Sequence, residues 1–414
     1  MKARYVVMSN GPLNRPKLPG IAGIESFKGH SFHTSRWDYG YTGGSSEGGL
    51  TKLADKRVAI IGTGATAIQC VPHLGRHAKQ LYVFQRTPSS VDLRGNKPTD
   101  PAWAASLTPG WQKRRMENFN ILVSGGMQDE DLVSDGWTDI IRSLASIAAF
   151  RGDQPMSMED IARGMEIADF KKMNQIRERV ASTVADPATA EALKPWYRQF
   201  CKRPTFNDDY LPTFNRPNVT LVDTEGRGVD RITEHALVVN GVEYEVDCLI
   251  FATGFEVGTA YTRRAGFEVY GRGAKPLTEH WGDGLKTLHG FYSAGFPNCF
   301  HMGVNQSTLT PNFPHLLDEQ ARHIGGLVAE AAGRQASVIE PTPEAEAGWV
   351  QTIRDSARDN LQFRVDCTPG YYNGEGRAGD GAGLFDGLYG PGSVSFFEVV
   401  RQWREGGMDG LQIG

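Results

Sequence analysis

Three observations predict an α/β fold with a Rossmann-like parallel sheet and a helical insertion. The run Arg57-Val58-Ala59-Ile60-Ile61 is apolar and β-branched without alternation, which marks a parallel strand covered on both faces. The turn Gly62-Thr63-Gly64-Ala65-Thr66-Ala67 follows at once and opens a helical pattern to about Ala78. Leu81-Tyr82-Val83-Phe84 supplies the next strand, so the three pieces make one βαβ unit. Pro72 falls inside the helix and is expected to kink it.

The other elements follow in chain order. Tyr5-Val6-Val7-Met8 reads as a short buried strand, stopped by Asn10-Gly11-Pro12. Residues 40–55 are rich in Gly and Ser and read as an exposed loop. Residues 101–200 are polar and helical in pattern, with Met158 to Met165 as one amphipathic piece, and form the insertion. Strands resume at Val219-Thr220-Leu221-Val222. A hairpin then spans Leu237 to Tyr244 around Asn240-Gly241, a pair suited to a type I′ turn. Cys248 to Ala252 is a further buried strand. Leu316, Leu317, Gln320, Ile324, Leu327 and Val328 place a helix over Pro314 to Ala331. The last 50 residues are glycine-rich and end in an amphipathic piece from Phe396 to Arg404.

Composition excludes several classes. A net charge of -4 gives no basic field for nucleic acid or an anionic membrane surface. The longest apolar runs are strand-sized, too short to span a bilayer. The five cysteines are scattered without a C-x-x-C pair, so no zinc pattern is present, no metal is expected, and the chain reads as cytoplasmic.

The glycine turn carries the first chemistry. Gly62 allows a tight turn after the strand, Gly64 lets the backbone approach a pyrophosphate, and Ala67 permits close helix-to-strand packing. The N–H groups at the start of the helix, around Ala65 and Thr66, then face the diphosphate. Gln69, one turn further on, completes the candidate contacts. An NAD-selective site would place an acid roughly 20 residues downstream. Here Gln85-Arg86-Thr87 stands at the end of the second strand, and Arg86 follows Gly62 by 24 positions. A guanidinium there suits a 2′-phosphate, so the expected nucleotide is NADP.

Phe27-Lys28-Gly29-His30-Ser31-Phe32-His33-Thr34-Ser35-Arg36-Trp37-Asp38 has the form F-x-G-x-x-x-H-x-x-x-W-D. It resembles the fingerprint of type I Baeyer–Villiger monooxygenases, and the glycine turn follows where that family binds NADPH. The Trp37-Asp38 ending favours this branch over relatives that oxidise nitrogen or sulfur, which usually carry another aromatic there. Cys201-Lys202-Arg203-Pro204 resembles the family's Lys-Arg-Pro segment. That likeness implies Lys202 as a second 2′-phosphate contact and Arg203 as the catalytic cation that stabilises a flavin C4a-peroxide anion. Phe27, Gly29, Trp37 and Asp38 read as architectural, and His33 as a hydrogen-bonded hinge. Phe251-Ala252-Thr253-Gly254-Phe255 and Gly295-Phe296-Pro297-Asn298 resemble segments linking the family's two domains. Residues Gly303 to Asn312 lie where the family surrounds the flavin ring, although Gly303-Val304-Asn305-Gln306-Ser307 departs from its usual Gly-Pro-Gly wording.

The resemblance implies a flavoprotein with two dinucleotide-binding domains that uses FAD and NADPH, with a small ketone and oxygen as partners. It implies residues 1–55 as the remainder of the FAD domain and the fingerprint linker. Residues 56–100 and 201–250 would form the NADP domain, 101–200 its insertion, and 251–414 the C-terminal part of the FAD domain. Tyr5 to Pro12 resembles a late strand of the FAD domain. The sequence-based expectation is therefore an N-terminally truncated fold with an incomplete FAD site. An N- or S-oxidising enzyme and a non-catalytic NADP-binding subunit are the alternative readings.

Overall fold

The computed structural model describes residues 2–149, 158–358, 360–377 and 387–414. Part of the expected insertion (150–157) and part of the glycine-rich C-terminal region (378–386) lie outside the described residues. The chain divides into two compact units. One comprises Pro16–Thr99 and Ser146–Phe255, the other Met1–Arg15, Asp100–Ala145 and Glu256–Gly414.

The first unit is built on a five-stranded parallel sheet in the order His30–His33, Cys248–Phe251, Arg57–Ile61, Gln80–Gln85, Val219–Asp223. Ile60 pairs with Val83 on one side and Ile250 on the other, and Val83 pairs with Leu221. Alternation along these strands serves two cores. Val58, Ile60, Leu81, Val83 and Ile250 pack with Ala67, Ile68, Val71 and Leu74 of the Ala65–His77 helix. Ala59, Phe84, Val222 and Leu249 pack on the opposite face with Ile232, Leu237 and Val239. The last three belong to an antiparallel sheet of Arg231–Ile232, Ala236–Val239 and Val242–Glu245. A strand buried on both faces has no polar positions, which is why these runs lack alternation. The hairpin turns at Asn240 and Gly241, both at positive φ (52° and 78°), as a type I′ turn requires. The helix after the glycine turn is one continuous element through Pro72.

The fingerprint strand belongs to this unit. His30–His33 runs parallel to Cys248–Phe251, pairing Phe32 with Ile250 and His33 with Phe251. The compact units thus divide the chain differently from the expected domains, because residues 16–55 group with the nucleotide fold. The insertion is divided too. The Met158–Thr183 and Pro187–Ala192 helices sit in the nucleotide unit, where Val180, Val184 and Ala190 join its core. The Trp111–Val123 helix sits in the other unit, where buried Ser393 donates to Asn120 Oδ1 at 2.9 Å.

In that second unit Val6–Met8 runs parallel to Cys299–His301, with Val7 opposite Phe300. Its core gathers Leu288, Phe291, Tyr292, Phe300, Ile324, Leu327, Trp349, Phe396 and Val400. Ile324, Leu327, Trp349, Phe396 and Val400 come from the helices Phe313–Gly333, Pro343–Asp355 and Ser393–Glu405; the first and last extend the sequence-predicted helices by a residue or more at each end, and the middle one had not been expected.

Candidate active site

The glycine turn sits between the Arg57–Ile61 strand and the Ala65–His77 helix. Gly62 has φ +114°, and a Cβ there would lie 2.5 Å from the Ala252 carbonyl oxygen. Both the dihedral and the neighbouring strand end demand glycine. Gly64 differs. Its backbone is extended (φ −77°, ψ −172°), and nothing lies within 4 Å of where its Cβ would be. As N-cap it offers no side-chain acceptor, and the first turn carries no acid. The helix therefore presents N–H groups to open space, the arrangement that receives a phosphate. Ala67 is fully buried, and Gln69 donates back to Ala65 O (2.9 Å) within the helix. NADP therefore fits this turn.

Two substitutions separate the glycines. Gly62→Ala is expected to lower folding stability by at least about 2 kcal/mol, through strain and collision. Gly64→Ala should melt like the parent yet bind dinucleotide more weakly, because its methyl would occupy the space open to the pyrophosphate. Melting curves paired with nucleotide titration check both, and a strongly destabilised Gly64→Ala would contradict the open geometry.

The end of the second strand carries the expected cations. Gln85 is fully buried and donates to Ala192 O (2.8 Å), while Arg86 stands exposed just beyond it. Thr63 Oγ1 donates to Thr87 O (2.8 Å), and Ser89 Oγ donates to Thr63 O (2.6 Å). The glycine turn is thereby tied to the segment after the strand. Lys202 Nζ donates to Thr87 Oγ1, bringing the Lys-Arg-Pro segment to the same place. Gly62 to Ala67, Thr87 and Lys202 therefore form one constellation. Arg203 is exposed, one residue beyond Lys202 and before buried Pro204. Pro204 is the buried anchor here, and it leaves the neighbouring guanidinium outside.

The fingerprint residues gather around the Cys248–Phe251 strand and its end. A Cβ on Gly29 would lie 2.8 Å from Asp247 O and 2.5 Å from the Phe27 ring, so only glycine lets this strand start beside its neighbour. His33 is buried. Its Nε2 meets Gly254 O at 3.0 Å, and its Nδ1 accepts from Ser35 N–H at 3.2 Å. These contacts call for the Nε2–H tautomer, and burial lowers the ring's pKa from its usual value. Trp37 Nε1 donates to buried Thr42 Oγ1 (3.0 Å), with its ring edge-on to Phe32 at 5.3 Å. Asp38 caps the short Tyr39–Thr42 helix by accepting from Tyr41 N–H (3.1 Å), and it pairs with His30 (2.9 Å). The Tyr41 bond is the largest influence holding its carboxyl below the usual range.

In the second unit a small cavity is lined by Gly11, Pro12, Tyr261, Arg264, Met302, Gly303 and Asn305. Tyr261 Oη is buried without a hydrogen-bond partner, as are both ring nitrogens of His301 beside Met302. Orphaned polar atoms next to a cavity fit a group that brings its own donors and acceptors, as the flavin ring does. Gly303 and Asn305 lie in the segment already likened to the family's flavin surround. Tyr261 and Arg264 had no sequence signal. Among the described residues no cluster of three His, Cys, Asp or Glu could hold a metal, and no helix is long and apolar enough to cross a membrane.

No protein-family model matches the chain. Neopentalenolactone D synthase of Streptomyces avermitilis is 53% identical over 407 residues, spanning 98% of this chain and 68% of the relative. A Baeyer–Villiger monooxygenase of Streptomyces coelicolor is 49% identical, over 99% of this chain and 68% of its own. Among solved structures, the polycyclic ketone monooxygenase of Thermothelomyces thermophila superposes with a TM-score of 0.88 at 40% identity, over all of this chain and 68% of that one. A cyclohexanone monooxygenase of Rhodococcus bound to NADP+ gives 0.76 at 27% identity, over 99% and 75%. With whole-chain identity near one half to enzymes of this name, and with the fingerprint and nucleotide turn in place, the chain belongs to the Baeyer–Villiger monooxygenase family.

Proposed function

We propose that the chain takes a small ketone and, with FAD and NADPH, inserts one oxygen atom beside its carbonyl. The reaction class and both cofactors follow from the family. The balance is ketone, O2, NADPH and a proton going to ester or lactone, NADP+ and water. Bound FAD supplies the oxygen activation. The residues of this chain bind, orient and stabilise charge. The open N-terminus of the Ala65–His77 helix receives the pyrophosphate, and Arg86 and Lys202 receive the 2′-phosphate. Arg203 faces the negative charge that develops on oxygen as the carbonyl is attacked. His33 acts as a hinge, tying the fingerprint strand to Gly254.

The observation that carries the nucleotide reading is the junction at Thr87, which holds the glycine turn through Thr63 and receives Lys202. A ketone assay under ¹⁸O2 tests the reaction: one labelled oxygen should enter the ester or lactone as NADPH is consumed. Label found only in N-oxides or sulfoxides would move the enzyme to the other branch. Arg86→Ala is expected to weaken NADP binding about 10- to 100-fold, as for loss of a charge-assisted contact, with NAD affinity nearly unchanged. Titration with both nucleotides checks this, and equal affinities in the unmutated chain would refute the cation assignment.

A further inference from the structure

We infer that Tyr197 is a positioning residue for nucleotide selectivity, acting through Lys202 and the Thr87–Ser90 turn. The inference rests on the reading of Arg86, Thr87 and Lys202 as the 2′-phosphate subsite. Tyr197 lies five residues before Lys202, on the segment returning from the insertion. Its hydroxyl donates to Pro88 O and accepts from Ser90 N–H, both at 2.9 Å. One phenol thus fastens both ends of the Pro88–Ser90 turn, directly after Thr87. The same ring lies under the lysine, with Lys202 Nζ 5.6 Å from its centroid, within reach of a cation–π attraction. Hydroxyl and ring therefore hold the two partners of one bond, Lys202 Nζ to Thr87 Oγ1.

Other contacts make Tyr197 a fixed post. Asp169, on the Met158–Thr183 helix, accepts from Gln199 N–H (2.9 Å) and anchors the backbone between Tyr197 and Lys202. Buried Ser90 is held from the far side, where Thr205 Oγ1 donates to its carbonyl (2.5 Å). Burial pushes the phenol's pKa well above its usual value, so it keeps its donor proton at all working pH. A lysine is a flexible point charge with about 2 kcal/mol of rotamer freedom to lose. Restraining it before the nucleotide arrives lowers the ordering cost of binding. The gain falls only on a nucleotide carrying the 2′-phosphate.

Calorimetric titration of the full chain with NADP and NAD tests this in four proteins: the parent, Tyr197→Phe, Lys202→Ala and the double variant. Tyr197→Phe keeps the ring and loses both hydrogen bonds. It should lower NADP affinity about 3- to 10-fold, the scale of a neutral hydrogen bond, and leave NAD affinity unchanged. In the Lys202→Ala background the same change should cost less than about 2-fold, because the group it positions is gone. A Tyr197→Phe variant that loses both nucleotides in equal proportion, or loses neither, overturns the assignment. So does additivity with Lys202→Ala. A parent chain with no preference for NADP would instead remove the 2′-phosphate reading and this inference with it.

Discussion

Arg203→Ala is expected to lower the rate of ketone oxygenation by about 10²- to 10³-fold in protein carrying its flavin, the loss typical when one preorganised oxyanion stabiliser is removed. Folding and NADP binding should be spared. Arg203 is exposed, so its truncation leaves no cavity, and the contact to Thr87 belongs to Lys202 next to it. That separation makes the test clean. A merely structural residue would change the melting temperature, and a nucleotide ligand would change the dissociation constant of NADP. A residue facing charge that develops during the reaction changes turnover alone. Arg203→Lys should recover only part of the rate, because an ammonium replaces the planar fork with a single mobile charge. Product formed at near-parent rates by Arg203→Ala would remove it from the reaction.

Much of the nucleotide fold was legible in the sequence, because a strand covered on both faces shows a run of apolar residues and a glycine turn must occupy fixed positions. The parallel strands from Arg57, Gln80 and Cys248 carry that mark, whereas the edge strand from Val219 keeps Thr220 exposed. The fifth strand was hidden. His30-Ser31-Phe32-His33, at the margin of the sheet, holds a single apolar residue, and it reads as a linker until its pairing with Cys248–Phe251 is seen. The fate of the insertion was equally illegible. The Trp111–Val123 and Met158–Thr183 helices look alike in composition, and only particular partners (Ser393 for Asn120, Gln199 for Asp169) assign them to different units. In the candidate site, residues with a positional rule can be proposed from spacing, as Gly62, Gly64 and Arg86 are. Tyr197 has no such rule. A single tyrosine in Trp-Tyr-Arg-Gln-Phe-Cys gains meaning only when Pro88, Ser90 and Lys202 converge on it.

Acid should unfold the second unit steeply, because its core contains histidines that can be buried only when neutral. His289 sits edge-on between Trp349 (4.6 Å) and Trp403 (4.8 Å) with Nδ1 unpartnered, and burial lowers its pKa to about 3. His323 stacks on Phe291, meets the Tyr292 hydroxyl through Nε2, and lies 3.4 Å from Arg404 through Nδ1. Burial first, then His289 and Arg404, bring it to about 3. His301, with neither ring nitrogen partnered, is brought by burial to about 4. In the unfolded chain each titrates near the ordinary value of about 6.5. Between about pH 6.5 and 4 the unfolded state therefore binds up to three protons that the folded state refuses. Stability then rises with pH by about 4 kcal/mol per unit from these groups alone. It is fully present above about 6.5 and is lost as pH falls through that window. Against a total of about 5–15 kcal/mol, a drop of two pH units is enough to unfold a domain. Urea denaturation of the chain at several pH values between 7 and 5 should show this slope. His289→Leu, which fills the same apolar slot without a titrating ring, should flatten it by roughly one third. Stability that stays level from pH 7 to 5, or a slope unchanged by His289→Leu, would mean that these rings do not hold back their protons in the folded chain.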